Sequence, residues 1–179
     1  MKKNLILDLD NTILSSVEFN KLKKIPPNNL DFIDMEKEFR VFLRPYLQQF
    51  LDYIFKHFRI SVWTAASKDY ALFIINNIIL KDKPERKLYF IFFDYHGKIS
   101  EKKYEHPKKL EILWKFYEFP GYNKHNTIII DDNKYVHTKQ KNNIIKAVYF
   151  DAEKKGADKD TFIVDVIPIL DRFLKKNER

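Results

Sequence analysis

Four short runs of Ile, Leu and Val, separated by longer stretches with helical periodicity, constrain the fold of this chain most strongly. The runs cover residues 4–10, 58–64, 126–132 and 144–150. Because they are almost continuously apolar, they are typical of parallel β-strands that are covered on both faces. The alternation of strands and helices predicts an α/β fold with a doubly wound, mainly parallel sheet, which is a Rossmann-like core flanked by helices.

The helical stretches carry their own start and break signals. Pro45 suits a first helical position, and Ser67 suits an N-cap. Pro107 is expected to begin a helix, and Pro168 is expected to kink or split the last one. The predicted helices cover residues 46–58, 67–79, 107–117 and 160–174.

The length of 179 residues fits one domain, and we predict a single domain over residues 1–179 because no internal repeat or linker divides the chain. The segment KKIPPNNLD at 23–31 is the best loop candidate. No apolar run approaches the roughly 18 residues of a membrane span, and the opening MKKNLILDLD is too short and too soon acidic for a signal peptide. We therefore expect an intracellular protein.

The composition excludes several kinds of chemistry. The chain has no cysteine, which rules out disulfides, thiolate zinc sites and cysteine-based phosphatase chemistry. Its three glycines cannot form a dinucleotide fingerprint or a Gly-rich phosphate loop. The five histidines include no H-E-x-x-H pair. Any metal ion would therefore be held by oxygen.

Polar residues follow three of the predicted strands. Asp8 and Asp10 end the first, Thr64 ends the second, and Asp131 and Asp132 end the third. In such sheets, ligands bind outside the carboxyl ends of the strands, and residues two apart on a strand share one face. Carboxylates that are gathered together repel each other unless protons or a cation are present. An acidic cluster with only oxygen ligands suits Mg²⁺, which binds through one or two carboxylates plus substrate phosphate.

Four motifs in this order resemble a known family. DLDNT at 8–12 is the D-x-D-x-T signature of haloacid-dehalogenase-superfamily phosphohydrolases, and VWTAASKDYA, PKKL and TIIIDD resemble their second, third and fourth motifs. FLRPYLQQFL and KKLEILWKF are similar to the small phosphatases of the RNA polymerase II C-terminal domain, the NLI-interacting-factor-like group. The resemblance covers residues 4 to 150.

The resemblance implies two catalytic residues. Asp8 would attack phosphorus and form an aspartyl-phosphate. Asp10 would protonate the leaving serine or threonine oxygen and then activate water. Thr64 would donate a hydrogen bond to a phosphoryl oxygen, and Lys108 would neutralise charge on the same group.

The resemblance also implies a cofactor, Mg²⁺. Asp8, the backbone carbonyl of Asp10, Asp131 and Asp132 would form its site, and Asp132 is the preferred direct ligand of the last pair.

Several of these residues have a structural alternative. Asp8 and Asp10 could form a turn at the strand end, and Thr64 could cap the turn before the next helix. A lysine in a first helical turn, as predicted for Lys108, usually points to solvent. Arg44, which precedes Pro45, matches an R-P of the resembled family, and an ordinary ion pair explains it equally well.

Other residues compete for these assignments or could line a substrate pocket. Lys109, Lys102 and Lys103 could reach the phosphate in place of Lys108. The aromatic residues near 90 are interpreted as core rather than as a substrate pocket. These aromatic residues are Tyr89, Phe90, Phe92, Phe93 and Tyr95.

The intervals 15–43 and 80–107 are too short for a full cap domain, so we expect an open site that takes a phosphate on a macromolecule. In the resembled group this is a phosphoserine in a proline-rich, disordered polymerase tail. The prediction is therefore an Mg²⁺-dependent phosphoprotein phosphatase without a large cap domain, nuclear if this substrate is right and otherwise cytoplasmic. Two alternatives stay open: a capless 3′ nucleic-acid end phosphatase, which the net charge of +8 suits, and a catalytically silent phosphopeptide-binding module.

Overall fold

The computed structural model describes residues 2–24 and 29–176. The described strands are β1 (Asn4–Leu7), β2 (Leu14–Glu18), β3 (Phe32–Met35), β4 (Phe39–Leu43), β5 (Arg59–Trp63), β6 (Leu88–Phe92), β7 (Thr127–Asp131) and β8 (Ile144–Lys146). The described helices are α1 (Leu47–His57), α2 (Lys68–Ile74), α3 (Asp94–Tyr104), α4 (Glu111–Lys115), α5 (Phe162–Asp165) and α6 (Ile167–Lys175). No helix in this part of the chain is long and apolar enough to cross a membrane.

The main sheet has five parallel strands in the order β6-β5-β1-β7-β8. Side chains alternate between its faces, so Leu5 and Leu7 share a buried cluster with residues of α1, α2, α5 and α6. Ile6, on the opposite face, is buried with Trp63 and with Leu113 of α4. Apolar side chains therefore cover both faces, which confirms the predicted doubly wound α/β fold.

A second sheet, which the sequence analysis did not predict, is formed by three strands within residues 14–43. It is antiparallel, with the strand order β2-β4-β3. Val17 and Phe42 from this sheet are buried against Phe150 and Ala152. Of the predicted loop at 23–31, residues 25–28 lie outside the described residues, and the chain before them ends in a 3₁₀ turn.

The boundaries of two predicted helices are wrong, and both errors arise at a proline. Tyr46 adopts a left-handed conformation with φ of 66°, so α1 begins at Leu47 and not at Pro45. The helix expected from Pro107 begins only at Glu111, because residues 105–110 form a turn after α3. The sequence analysis also missed α3 itself.

Other boundary signals are confirmed. The Ser67 hydroxyl accepts a hydrogen bond from the Tyr70 N–H and caps α2. The last helix is split at Val166, just before Pro168. The strands are shorter than predicted: β1 ends at Leu7, and β8 ends at Lys146.

Arg44 forms an ion pair, which was one of its two interpretations, and this pair is buried. Its guanidinium donates to both carboxylate oxygens of Asp160, at 2.7 and 2.9 Å, and its side chain is fully buried. It also donates to the carbonyl oxygens of Thr12 and Val148. Arg44 therefore joins the loop after β1 to the C-terminal part of the described chain.

We expect Arg44→Met to lower the free energy of unfolding by at least about 2 kcal/mol, because it leaves a carboxylate and two carbonyl groups without their donor. The matched control is Arg40→Met, since Arg40 pairs with Asp34 at 2.8 and 3.0 Å on the surface. Its expected loss is about 1 kcal/mol or less. Urea-induced unfolding measures both, and equal losses would contradict a special contribution from the buried pair.

Candidate active site

The carboxyl ends of β1, β5 and β7 open into a cleft of about 430 Å³. Leu7 pairs with Val62 on one side and with Ile130 on the other, so the residues that follow these three strands meet at one edge. The cleft is lined by all six residues that the sequence analysis selected: Asp8, Asp10, Thr64, Lys108, Asp131 and Asp132.

Lys108 lies at the centre of the charged groups. Its Nζ donates to Asp8 Oδ1 and to Asp131 Oδ2, at 2.6 Å in both cases, and its side chain is only 6% exposed. Burial alone would lower the pKa of Lys108, but the two carboxylates outweigh it and raise the pKa above its ordinary value. Lys108 is therefore a charged, buried ammonium group and does not point to solvent.

The turn that carries Lys108 is held by side chains from other segments. His106 Nδ1 accepts a hydrogen bond from the Lys108 N–H, and its Nε2 contacts the Thr138 carbonyl at 3.0 Å. Burial lowers the pKa of His106, which favours the neutral ring that this arrangement needs. Gln140 donates to the Lys108 carbonyl at 2.9 Å and accepts from the Leu110 N–H. Sequence reasoning missed His106 and Gln140 because their role depends on contacts between distant segments.

Three carboxylates lie together beside this lysine. Each of Asp8, Asp131 and Asp132 offers one oxygen, and these oxygens lie within 4.8 Å of one another. The Thr12 hydroxyl donates to Asp8 Oδ2 at 2.9 Å and accepts from the Asp132 N–H at 3.1 Å. Burial, reinforced by the charge of Asp8, raises the pKa of both Asp131 and Asp132, so a further positive charge would stabilise the group.

The donors in this group fit a hard divalent cation such as Mg²⁺, because all of them are carboxylate oxygens. Both oxygens of Asp131 are already used, one by Lys108 and the other by the Asn133 N–H at 2.8 Å. Within residues 2–24 and 29–176, no donor contacts Asp132 Oδ2. Asp132 therefore has the carboxylate that is more available to a metal ion.

Asp10 lies apart from these three carboxylates, although it lines the same cleft. Its Oδ1 accepts a hydrogen bond from the Tyr70 hydroxyl at 2.5 Å, and the Ser16 hydroxyl lies 3.4 Å from the same oxygen. Burial raises the pKa of Asp10 to about 6, against the opposing effect of the Tyr70 hydrogen bond. A carboxyl group with this pKa can both hold and release a proton near neutral pH.

Thr64 caps a turn, which was its structural alternative, and it also lines the cleft. Its Oγ1 accepts a hydrogen bond from the Ala66 N–H at 3.1 Å, so it does cap the turn that precedes α2. Its own N–H donates to the Phe92 carbonyl, which fixes the residue against β6. Within the described residues, no acceptor contacts the proton of the Thr64 hydroxyl. This proton is therefore available to an oxygen in the cleft.

The competing lysines lie elsewhere. Lys109 donates to the Lys139 carbonyl at 2.7 Å and lines a different cavity. Lys103 Nζ lies 3.8 Å from the centroid of the Phe116 ring. Lys102 is exposed on α3.

The aromatic residues near 90 belong only in part to the core. Phe92 is buried, and Phe90 and Phe93 are half-buried against the two large clusters. Tyr89 and Tyr95 are exposed, so the core interpretation was wrong for these two.

Comparison with solved structures identifies the class of fold. The chain superimposes on fission yeast RNA polymerase II CTD phosphatase Fcp1 bound to beryllium fluoride with a TM-score of 0.59, at 16% identity over 97% of this chain and 53% of that one. A second Fcp1 structure gives a TM-score of 0.54 at 19% identity and covers 97% of this chain and 52% of that one. This chain thus has the α/β fold of Fcp1 and spans about half the length of either solved Fcp1 chain.

Sequence comparison identifies the family. The chain belongs to the NLI interacting factor-like phosphatases, whose family pattern matches residues 3–179. It is 38% identical to CTD phosphatase-like protein 355R of Invertebrate iridescent virus 6, over 96% of this chain and 99% of the relative. The corresponding protein of Invertebrate iridescent virus 3 is 32% identical, over 96% of this chain and 97% of the relative. These findings confirm the resemblance that the four motifs indicated.

The position of Lys108 predicts that Lys108→Ala weakens binding of fluoroberyllate, a phosphate analogue, by at least about tenfold. The physical reason is the loss of a charge-assisted hydrogen bond, which contributes about 1.5–3 kcal/mol. Lys109→Ala, the matched control, should change the affinity by less than about threefold, because its ammonium group points to another cavity. Isothermal titration calorimetry measures both, and equal small losses would place the phosphate-binding cation elsewhere.

Proposed function

We propose that this chain is an Mg²⁺-dependent protein serine/threonine phosphatase that works through an aspartyl-phosphate and acts on phosphopeptides like the RNA polymerase II C-terminal domain. One observation carries the proposal: a buried lysine joins two of three grouped carboxylates, while a further aspartate is held apart in the same cleft with a raised pKa. The first set suits a nucleophile and a charged phosphoryl group, and the separate aspartate suits proton transfer.

In the first half of the reaction, an oxygen of Asp8 attacks phosphorus while the bond from phosphorus to the serine or threonine oxygen breaks. Asp10 gives its proton to that leaving oxygen, so a neutral hydroxyl group departs and Asp10 becomes a carboxylate. In the second half, Asp10 takes a proton from water as the water oxygen bonds to phosphorus and the bond to Asp8 breaks. Phosphate leaves, and both aspartates return to their initial states.

Thr64 and Lys108 stabilise the charge that the phosphoryl oxygens carry during both steps. The Thr64 hydroxyl has a proton to donate, and the Lys108 ammonium group lies beside the nucleophile. Both are fixed before substrate arrives, Thr64 by its hydrogen bonds and Lys108 by its ion pairs, so little reorganisation opposes the reaction.

Asp8, Asp132 and the backbone carbonyl of Asp10 would hold Mg²⁺, and Asp131 would complete the site by anchoring Lys108. When bound, Mg²⁺ supplies positive charge that offsets the grouped carboxylates and the phosphoryl oxygens. The protein residues supply the nucleophile, the proton donor and the hydrogen bonds.

An open cleft supports a macromolecular substrate. Three strands within residues 14–43 form the small sheet and residues 88–104 supply β6 and α3, so within the described chain these intervals provide no separate cap domain. The polymerase tail is preferred among protein substrates because the viral relatives are named CTD phosphatase-like and Fcp1 is a CTD phosphatase. This substrate would place the protein in the nucleus.

A 3′ nucleic-acid end phosphatase is the second candidate. The net charge of +8 favours it, as does a cavity of about 560 Å³ next to the active-site turn. Four lysines line this cavity: Lys109, Lys115, Lys124 and Lys139. A silent phosphopeptide-binding module is less well supported, because Asp8 and Asp10 are both present in the cleft.

Hydrolysis of p-nitrophenyl phosphate should require Mg²⁺ and should be abolished in Asp8→Asn, because an amide oxygen cannot replace the carboxylate nucleophile. The measurement is p-nitrophenol release with Mg²⁺, with EDTA, and with Mg²⁺ restored after EDTA. Asp151→Asn, which changes an aspartate outside the cleft, controls for the substitution itself. Full activity in EDTA or in Asp8→Asn would refute the mechanism.

A phosphorylated polymerase-tail peptide should be cleaved with kcat/KM at least about tenfold above a 3′-phosphorylated oligonucleotide, a difference of about 1.4 kcal/mol in transition-state binding. Phosphate release at physiological salt measures both. Repeating the oligonucleotide assay over a range of salt concentrations shows whether several phosphate contacts contribute. If the oligonucleotide is the better substrate, the end-phosphatase candidate replaces the polymerase-tail proposal.

A further inference from the structure

The hydroxyl groups of Tyr70 and Ser16 meet the carboxyl group of Asp10, and the three side chains come from separate segments. Tyr70 comes from α2, Ser16 from β2, and Asp10 from the loop after β1. The Tyr70 hydroxyl donates to Asp10 Oδ1 at 2.5 Å, and the Ser16 hydroxyl is in close contact with the Tyr70 hydroxyl and lies 3.4 Å from the same carboxylate oxygen. Because the Tyr70 proton is used on Asp10, the Ser16 proton serves the contact with Tyr70, and the two hydroxyls form a chain that ends at Oδ1. Asp10 and Tyr70 lie in the first and second family motifs, but the sequence analysis gave no role to Tyr70 or Ser16.

A donor on only one oxygen makes the two oxygens of Asp10 different. A proton on Oδ1 would face the hydrogen of the Tyr70 hydroxyl, so protonation there is disfavoured. Within the described chain no donor contacts Oδ2. The proton that Asp10 carries therefore belongs on Oδ2.

We infer that Tyr70, supported by Ser16, is a positioning residue that keeps Asp10 Oδ1 as a hydrogen-bond acceptor and assigns the transferred proton to Oδ2. This inference rests on the proposed function. As the bond from Asp8 to phosphorus forms and the bond to the leaving oxygen breaks, the Oδ2 proton passes to that oxygen. The negative charge left on Asp10 is then stabilised by the Tyr70 hydrogen bond. In the second half, Oδ2 accepts the proton of the attacking water.

Tyr70 is itself fixed from two directions. Its N–H donates to the Ser67 hydroxyl at the start of α2. Its ring meets Phe39 of β4 edge-on, with centroids 6.2 Å apart and an angle of 80° between the planes. The small sheet thus contributes Ser16 directly and holds Tyr70 through Phe39, which gives this sheet a role in catalysis.

The test compares two substrates that differ in their need for an acid. Serine is a poor leaving group that depends on protonation, whereas p-nitrophenolate leaves readily without it. Tyr70→Phe should lower kcat/KM for a phosphoserine peptide at least about tenfold and for p-nitrophenyl phosphate by less than about threefold. The ratio kcat/KM is used because it covers only the steps up to the aspartyl-phosphate.

Tyr122→Phe is the matched control. Tyr122 is buried, and its hydroxyl bonds to Ser61 in the main sheet at 2.8 Å, away from the cleft. It should leave the ratio of the two kcat/KM values unchanged. Ser16→Ala is a second variant, and it should shift the ratio in the same direction as Tyr70→Phe but less, because Ser16 contacts Asp10 mainly through Tyr70.

Two further variants separate the inference from the proposed function. If Asp10→Asn does not selectively lose activity on the phosphoserine peptide, Asp10 is not the acid. The proposed mechanism then fails together with the inference. If Asp10→Asn shows the selective loss but Tyr70→Phe does not, only the inference is overturned. An equal loss on both substrates in Tyr70→Phe would show a merely structural hydroxyl and would overturn it too. Activity retained in Asp8→Asn would refute the proposed function, and the inference that rests on it would fall with it.

Discussion

The pairing of one buried lysine with two carboxylates is the interaction on which the rest of the site depends. Three acidic side chains at the edge of one sheet repel each other, and their burial makes the repulsion stronger. Lys108 offsets part of this charge by contacting Asp8 and Asp131 at equal distances. The remaining carboxylate, Asp132, is left with an oxygen that can face a metal ion. A phosphoryl group that enters the cleft meets a positive charge that is already in place.

The fold supplies the framework that keeps these charges together. Parallel strands β1, β5 and β7 end at one edge because both faces of the sheet are buried and fix the register of the strands. The turn with Lys108 then has to be brought to this edge, and the hydrogen bonds of His106 and Gln140 do so. Rigid strands position the acidic groups, while a turn held by side chains positions the cation.

The small antiparallel sheet contributes to the difference between the two aspartates that we propose as catalytic. Asp8 accepts a hydrogen bond from the Lys108 ammonium group, whereas Asp10 lies beside the hydroxyl groups of Tyr70 and Ser16 with its pKa raised by burial. The two environments suit a nucleophile and a proton donor, respectively. Insertion of residues 14–43 between the first motif and α1 therefore shapes the chemistry of the site as well as leaving the cleft open.

The sequence by itself determined the class of fold, the position of the cleft and six of the residues that line it. Continuous apolar runs could become only buried strands, and the aspartates and Thr64 follow directly after them, so chain order placed them at one edge. Tertiary structure decided those features of the site and the fold that depend on contacts between distant segments. It moved Lys108 from a helix into a turn, separated Asp10 from the other three aspartates, and built a second sheet from segments that no apolar periodicity had indicated. The physical reason is that strand ends follow from local patterns of burial, whereas hydrogen bonds such as those of Tyr70 and Gln140 form only when the chain is folded.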